Sequence, residues 1–382
     1  MWFLEIDKLL IITVVTLFTG FLRLCNAKLG TKIPINYILP IIEIGVIFYI
    51  SKRLAVFYLI YIIITYFLST ILLKSQRYKK LLFPIFCLVA SIPFFINRLP
   101  ELGIELNNIF IIIGISYSIF KVIDIYYHVY YSGEPINLLV YINYILFLPV
   151  FTAGPIHRYR EFEKSMQNPI LLDMEVVSYS VGRIIKGLFK KLVVTELLFI
   201  GFNHLQTLDL RWYISLMIIV MSYAVLFFDF SGYSDIAIAF GALAGIAVPE
   251  NFKKPWAAPT MTQFWRNWHV TLSDFIRNHI HVVIVKKKLT KIQGGIIGFF
   301  TMVTMALWHG FNVPYVIAGV YLGMILFFES VFSLTTLNRR TTNKIYFAFR
   351  CLLTNFLFGL NTLVFTLPKD RVIKVILGLF NI

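Results

Sequence analysis

Charge is scarce in this chain, and acids are scarcer than bases. Asp, Glu, Lys and Arg make up 14% of the residues, where a water-soluble domain carries about 25%. A single water-facing globule is thereby excluded. Cysteine is nearly missing as well. Cys25, Cys87 and Cys351 all lie in apolar surroundings, and no two stand at Cys-x-x-Cys spacing. That excludes a disulfide framework and a thiolate metal site, and leaves three inert core residues. No serine sits in a Gly-x-Ser-x-Gly elbow and no glycine-rich phosphate loop is present. Internal repeats and the inverted symmetry of many transporters are also missing.

Apolar sequence is what the chain has in abundance. Hydrophobic residues make up 59% of it, and the mean hydropathy is +0.79. Runs such as 9–22, 54–73 and 213–228 approach the roughly 20 residues that cross a bilayer core as a helix. The reading is an all-α polytopic protein of the cell membrane, with 1–382 as a single integral membrane domain. About eleven segments are expected to span or re-enter the membrane. Several are short, and 81–96 is interrupted by Pro84 and Pro93. Such breaks fit where neighbouring helices or a water-filled cavity satisfy the freed backbone groups. The opening "MWFLEIDKLL" carries two acids and no basic leader, so the first helix is expected to stay as an anchor.

The balance of 35 basic against 19 acidic residues gives +16. The bases cluster between apolar runs: Lys74 to Lys80, Lys186 to Lys191, Lys286 to Lys288, and Arg339 to Lys344. This pattern points to cytoplasmic loops and contact with anionic membrane lipids, not to nucleic acid. The loop 97–108, with one base and two acids, is placed outside. Within 181–194, the spacing of Arg183, Lys186 and Lys190 predicts a helix lying in the interface with its bases toward headgroups.

Three constellations carry candidate chemistry. In "FFDFSGYSDIAIAFG" (227–241), Asp229 and Asp235 follow an apolar run around Ser231, Gly232, Tyr233 and Ser234. Carboxylates at membrane depth are costly unless hydrogen-bonded or facing water, so this is a polar knot shaping a cavity or a direct participant. In "MTQFWRNWHVTLSDFIRNHIH" (261–281), a continuous helix would put Trp265, Trp268 and His269 on one face, with Arg266 between them and Asp274 beside Arg277. His279 and His281 are two apart, do not share a helical face, and lack a third ligand, so no metal site is expected. In "LWHGFN" (307–312), Trp308, His309 and Asn312 end a long apolar run. Histidine as a residue type titrates near neutrality and can take a proton from a hydroxyl. His309 and His269 are thus the best-placed acid–base groups, in a site without a covalent nucleophile on the protein.

In this order, "AGPIHRYREF", "FDFSGYSDIAIAFG", "PENFKKPW", "FWRNWHVTLSDFIRN" and "LWHG" resemble the membrane-bound O-acyltransferase (MBOAT) family. The branch is the bacterial one of alginate O-acetyltransferases and teichoic acid D-alanyltransferases, and the likeness covers 110–325 as a catalytic core. The resemblance implies helices around a central funnel or tunnel, with His309 as the essential base and His269 lining the same tunnel. Trp265, Arg266, Trp268, Asp229, Ser231, Tyr233, Asp235, Trp308 and Asn312 would line the substrate path. It further implies that an acetyl or D-alanyl group passes from a thioester, on an acyl carrier protein or acetyl-CoA, to hydroxyls of an envelope polysaccharide or teichoic acid. No bound cofactor is expected. Lys286, Lys287 and Lys288 would suit an acidic carrier on the cytoplasmic side, and an extracytoplasmic or small membrane partner would complete the transfer. Where the family usually shows Arg-Asp-Tyr, this chain has Arg277, Asn278 and His279. The rival classes are a polytopic transporter or channel, for which Asp124, Glu196, Asp229 and Asp235 would speak, and a lipid O-acyltransferase.

Overall fold

The computed structural model describes residues 6–75, 77–104, 112–281 and 289–382, the side chains of Ile6, Ile280 and His281 excepted. Among the described residues the regular structure is helical, joined by one isolated antiparallel bridge between Phe252 and Trp268. Seven helices of the described residues are long and apolar enough to cross a membrane, and Ile35–Ile50 is a shorter apolar one. The chain is therefore a multi-pass membrane protein. It divides into two compact units, Met1–Ile185 with Ser234–Pro249, and Lys186–Tyr233 with Glu250–Ile382.

The first unit holds α1 (Ile6–Leu29), α2 (Ile35–Ile50), α3 (Lys52–Lys74), α4 (Lys79–Arg98), α5 (Ile115–Ser132), α6 (Leu138–Leu146), α7 (Tyr159–Gln167) and most of α8 (Met174–Leu188). Its core is rich in tyrosine, and each buried hydroxyl has to find a partner where water is missing. Tyr61 donates to the Ala90 carbonyl at 3.0 Å, Tyr126 to the Thr65 carbonyl at 3.2 Å, and Tyr58 to the Ile113 carbonyl at 2.9 Å. Asp124 of α5 accepts the Tyr159 N–H at 2.6 Å, which fixes the first turn of α7. Lys121 donates to the carbonyls of Tyr144 at 2.8 Å and Ile145 at 3.2 Å. These charges are tied to backbone at helix ends.

The second unit holds α9 (Thr195–Leu205), most of α10 (Trp212–Leu243), α11 (Met261–Trp265), α12 (Val270–Ile276), α13 (Lys291–His309), α14 (Val313–Val331), α15 (Lys344–Thr366) and α16 (Lys369–Gly378). At 32 residues, α10 is about 48 Å long, more than a bilayer core requires. Between α8 and α9 the chain takes a π-helical turn, Phe189–Val194. α13 and α14 form a hairpin with a cap at each start. Thr290 and Gln293 close a capping box on α13, and Asn312 accepts the Tyr315 N–H at 3.2 Å to begin α14.

Two expectations are corrected here. The stretch 261–281 is not one helix: α11 ends at Trp265, the chain turns, and α12 starts at Val270. Glu329 of α14 explains the early start, because its carboxylate accepts the backbone N–H groups of Met261 at 2.6 Å and Thr262 at 2.8 Å. The 181–194 segment is also more than a headgroup-facing surface. Arg183 is turned inward to a carboxylate while Lys186 stays exposed.

Candidate active site

The centre of the second unit is built around the break between α11 and α12. The segment 251–253 lies antiparallel to 267–270 there. Lys253 donates its N–H to the Asn267 carbonyl, and Val270 donates to the Asn251 carbonyl, both at 2.9 Å. The Asn251 side chain, fully buried, accepts the Thr271 hydroxyl at 2.9 Å. Thus the "PENFKKPW" motif serves as a clamp on the histidine turn.

The clamp holds His269 at φ 44° and ψ 52°, in the left-handed region that side chains other than glycine, asparagine and aspartate rarely adopt. Its carbonyl starts α12 by accepting the N–H groups of Leu272 and Ser273. Its ring, 4% exposed, meets Phe230 edge to face at 4.8 Å, and Nε2 finds no partner among the described residues. Burial, with His309 nearby, pushes its pKa down to about 3, so the imidazole is neutral at physiological pH. Trp268, next in the turn, is enclosed by Phe358 at 4.9 Å, Phe252 at 5.1 Å, Phe264 at 5.6 Å and Tyr223 at 5.9 Å. Such packing fixes the turn on both sides.

His309 ends α13. It is exposed, unlike His269, and its ring packs against Trp308 at 4.7 Å, Phe365 of α15 at 5.2 Å and Tyr315 of α14 at 6.4 Å. Two histidines of different character therefore stand close enough to influence each other, one enclosed and one open. Trp265 Nε1, Ser231 Oγ and the Tyr223 hydroxyl are buried polar atoms of this unit without a partner among the described residues. Orphaned buried donors are uncommon in native structures and cluster where function holds them. Trp265 also lines a cavity of about 300 Å³ with Ser273, Met302, Met305 and Leu326.

The remaining candidates separate by role. Asp229 takes an ion pair from Lys191, and its side chain is 36% exposed. Gly232 lies where a methyl would come within 2.8 Å of the Gly187 carbonyl, so the motif glycine lets α10 approach the end of α8. In the first unit, Asp235 pairs with Arg183 at 3.0 Å, with both side chains largely buried. Tyr233 is fully buried and Arg266 exposed. Asn312 caps α14, a structural duty that does not need a substrate. Arg277 pairs with Asp274 at 2.7 Å, as the spacing predicts. His279 Nδ1 lies 2.8 Å from the Phe275 carbonyl with its ring stacked on Phe275. The His281 side chain and Lys286, Lys287 and Lys288 lie outside the described residues. Among the described residues, no group of three His, Cys, Asp or Glu side chains is placed to hold a metal ion.

Sequence reasoning missed three contributors. Asn251 stands inside the "PENFKKPW" motif, which gives no hint of its clamping role, and Tyr223 gives no signal in a chain where aromatic residues are 17% of the total. Glu329 gives one: it is the single acid in the otherwise apolar run 313–331, and an acid at that depth calls for a partner.

Residues 128–359 match the model of the membrane-bound O-acyltransferase family, and the chain belongs to that family. It is similar to the probable alginate O-acetylase AlgI of Pseudomonas fluorescens, at 32% identity over 65% of this chain and 50% of the relative. The teichoic acid D-alanyltransferase of Bacillus subtilis is 29% identical over 64% of this chain and 69% of the relative. The peptidoglycan O-acetyltransferase of Helicobacter pylori is 28% identical over 52% and 39%. The chain spans about half the length of the alginate relatives it matches.

Proposed function

We propose that this protein is an O-acyltransferase that moves an acetyl or D-alanyl group from a thioester to hydroxyls of a cell-envelope polymer, with His309 as general base. The observation that carries the reading is the pairing of an open His309 with a buried, neutral His269 held by a dedicated clamp. His309 accepts the proton of the acceptor hydroxyl as that oxygen forms a bond to the thioester carbonyl carbon. The carbonyl oxygen gains negative charge, which the Nε2–H of neutral His269 and the indole N–H of Trp265 are suited to stabilise by donating to it. Collapse of this intermediate breaks the carbon–sulfur bond, and the proton on His309 leaves with the thiolate. No covalent bond to the protein is needed.

Family membership and the names of the relatives support acyl transfer to an envelope polymer. The donor, on this reading, is a thioester of an acyl carrier protein or of coenzyme A, entering from the cytoplasmic side. Against a transport role, three of the four acids that suggested one are engaged: Asp124 with the Tyr159 N–H, Asp229 with Lys191, and Asp235 with Arg183. The test is chemical. Envelopes of cells carrying wild-type protein or His309→Ala, at matched abundance, are treated with mild base, and released acetate and D-alanine are quantified. One of the two is expected to fall with the variant, which names the acyl group. No change in either contradicts the proposal.

A further inference from the structure

The first unit contains a second polar cavity far along the sequence from the histidine motifs. It measures about 300 Å³, and its walls include Arg23, Asn26, Asn36, Tyr37, Met166 and Gln167. Arg23 lies in the last two turns of α1 and is 4% exposed. One terminal N–H of its guanidinium is donated to Met166 Sδ at 3.2 Å, a weak acceptor, and its Nε finds no partner among the described residues. An arginine cannot shed its proton to escape this position, and a buried charge without a counter-ion is costly. The backbone makes room for it nonetheless. Gly245, at φ 82°, lies where a methyl would come within 2.7 Å of Arg23 Cδ, so the glycine admits the arginine stem.

Among the described residues, none of those lining the cavity is an acid that would balance it. Residues 23–37 contain Arg23, Lys28 and Lys32 and no acid, and both lysines are exposed. Asn26 is occupied with the loop, accepting the Thr31 hydroxyl at 2.8 Å and the Ile33 N–H at 2.9 Å. The amides of Asn36 and Gln167 remain as uncharged donors in the cavity wall. A planar guanidinium with amide donors in the same cavity wall is the donor set that phosphate oxygens take.

We propose that this cavity binds a phosphate group, carried by a lipid headgroup or by a soluble phosphate ester, with Arg23 as its counter-ion. The site is separate from the acyl-transfer reading and stands or falls independently of it. The experiment uses the full chain purified in dodecyl maltoside, which contains no phosphate. Phosphatidylglycerol is added in one arm and inorganic phosphate in the other, with chloride at equal ionic strength as control. Melting temperature and, for the lipid, native mass spectrometry report binding. A rise with phosphatidylglycerol alone assigns a headgroup, and a rise with inorganic phosphate assigns a soluble ester. Arg23→Gln is expected to weaken the effect about tenfold or more, and Arg23→Lys to keep part of it. Gln167→Leu, at an exposed position, serves if Arg23→Gln does not fold, and is expected to weaken binding several-fold. Wild-type protein without a rise in either arm overturns the proposal. So does an undiminished rise in Arg23→Gln, or in Gln167→Leu where that variant is the one tested.

Discussion

His269 carries two burdens, a left-handed backbone that costs about 1–3 kcal/mol and a buried ring with an unpartnered Nε2. Asparagine tolerates the same backbone, so His269→Asn separates strain from chemistry. It is expected to melt close to wild type while ester formation falls about a hundredfold, the usual effect of losing one oxyanion donor. Activity unchanged in a folded variant would remove His269 from the reaction. Its depressed pKa also sets a pH dependence. The unfolded chain binds a proton near pH 6.5 and the folded site only near pH 3, so stability is complete above pH 6.5 and declines as pH falls between those values. The slope is about 1.4 kcal/mol per pH unit for the one proton. His157, pushed to about 3 by burial and by Lys121, acts in the same direction. Acid melts of wild type and His269→Gln should differ by one proton in this window; equal slopes would mean that His269 is not held neutral. Both motif histidines were legible in the sequence, because histidine beside tryptophan in apolar runs is costly enough to demand a reason. The left-handed turn was not legible, since it depends on Asn251, some twenty residues away in the chain.

Between elements, charge pairs do the fixing. Arg183 of α8 and Asp235 of α10 meet at 3.0 Å with side chains 14% and 8% exposed. Removing one partner takes this ion pair from a buried charge, which costs up to about 3–5 kcal/mol, whereas replacing both with apolar residues is close to neutral. Asp235→Ala is therefore expected to lower the melting temperature sharply, and Arg183→Met with Asp235→Leu to restore most of it. If the double variant melts as low as the single one, the pair has a role beyond mutual neutralisation. The clamp on the histidine turn admits a similar trial. Asn251→Ala removes the hydrogen bond from the Thr271 hydroxyl and should cost about 1–3 kcal/mol, with ester formation falling through loss of position. A full rate in Asn251→Ala would show that the turn holds without it. The helix period suggested a single helix through 261–281, and periodicity alone had no means of showing otherwise. The break is imposed by the Glu329 carboxylate on one side and the 251–253 segment on the other, both distant in sequence.

Taken whole, the molecule is a multi-pass membrane protein of the membrane-bound O-acyltransferase family. Its class was readable from low charge and long apolar runs, because a bilayer constrains composition more tightly than water does. Among the described residues, seven helices are long and apolar enough to cross and several are shorter. Length and apolarity separate the first kind, but whether a short helix re-enters depends on packing that no local stretch records. The ordered motifs pointed to the candidate site, yet their division of labour emerged only in three dimensions: "PENFKKPW" clamps the histidine turn and Asn312 caps a helix, while His269 and His309 take the roles proposed for them above. The central claim is that His309 moves the proton of the acceptor hydroxyl. Its most direct test is the rate of ester formation by purified protein in nanodiscs, given a thioester donor and envelope polymer, for wild type and His309→Ala. The variant is expected to keep its melting temperature and lose about 10²–10⁴-fold in rate, the range of general-base catalysis. A rate within a few-fold of wild type would contradict the account.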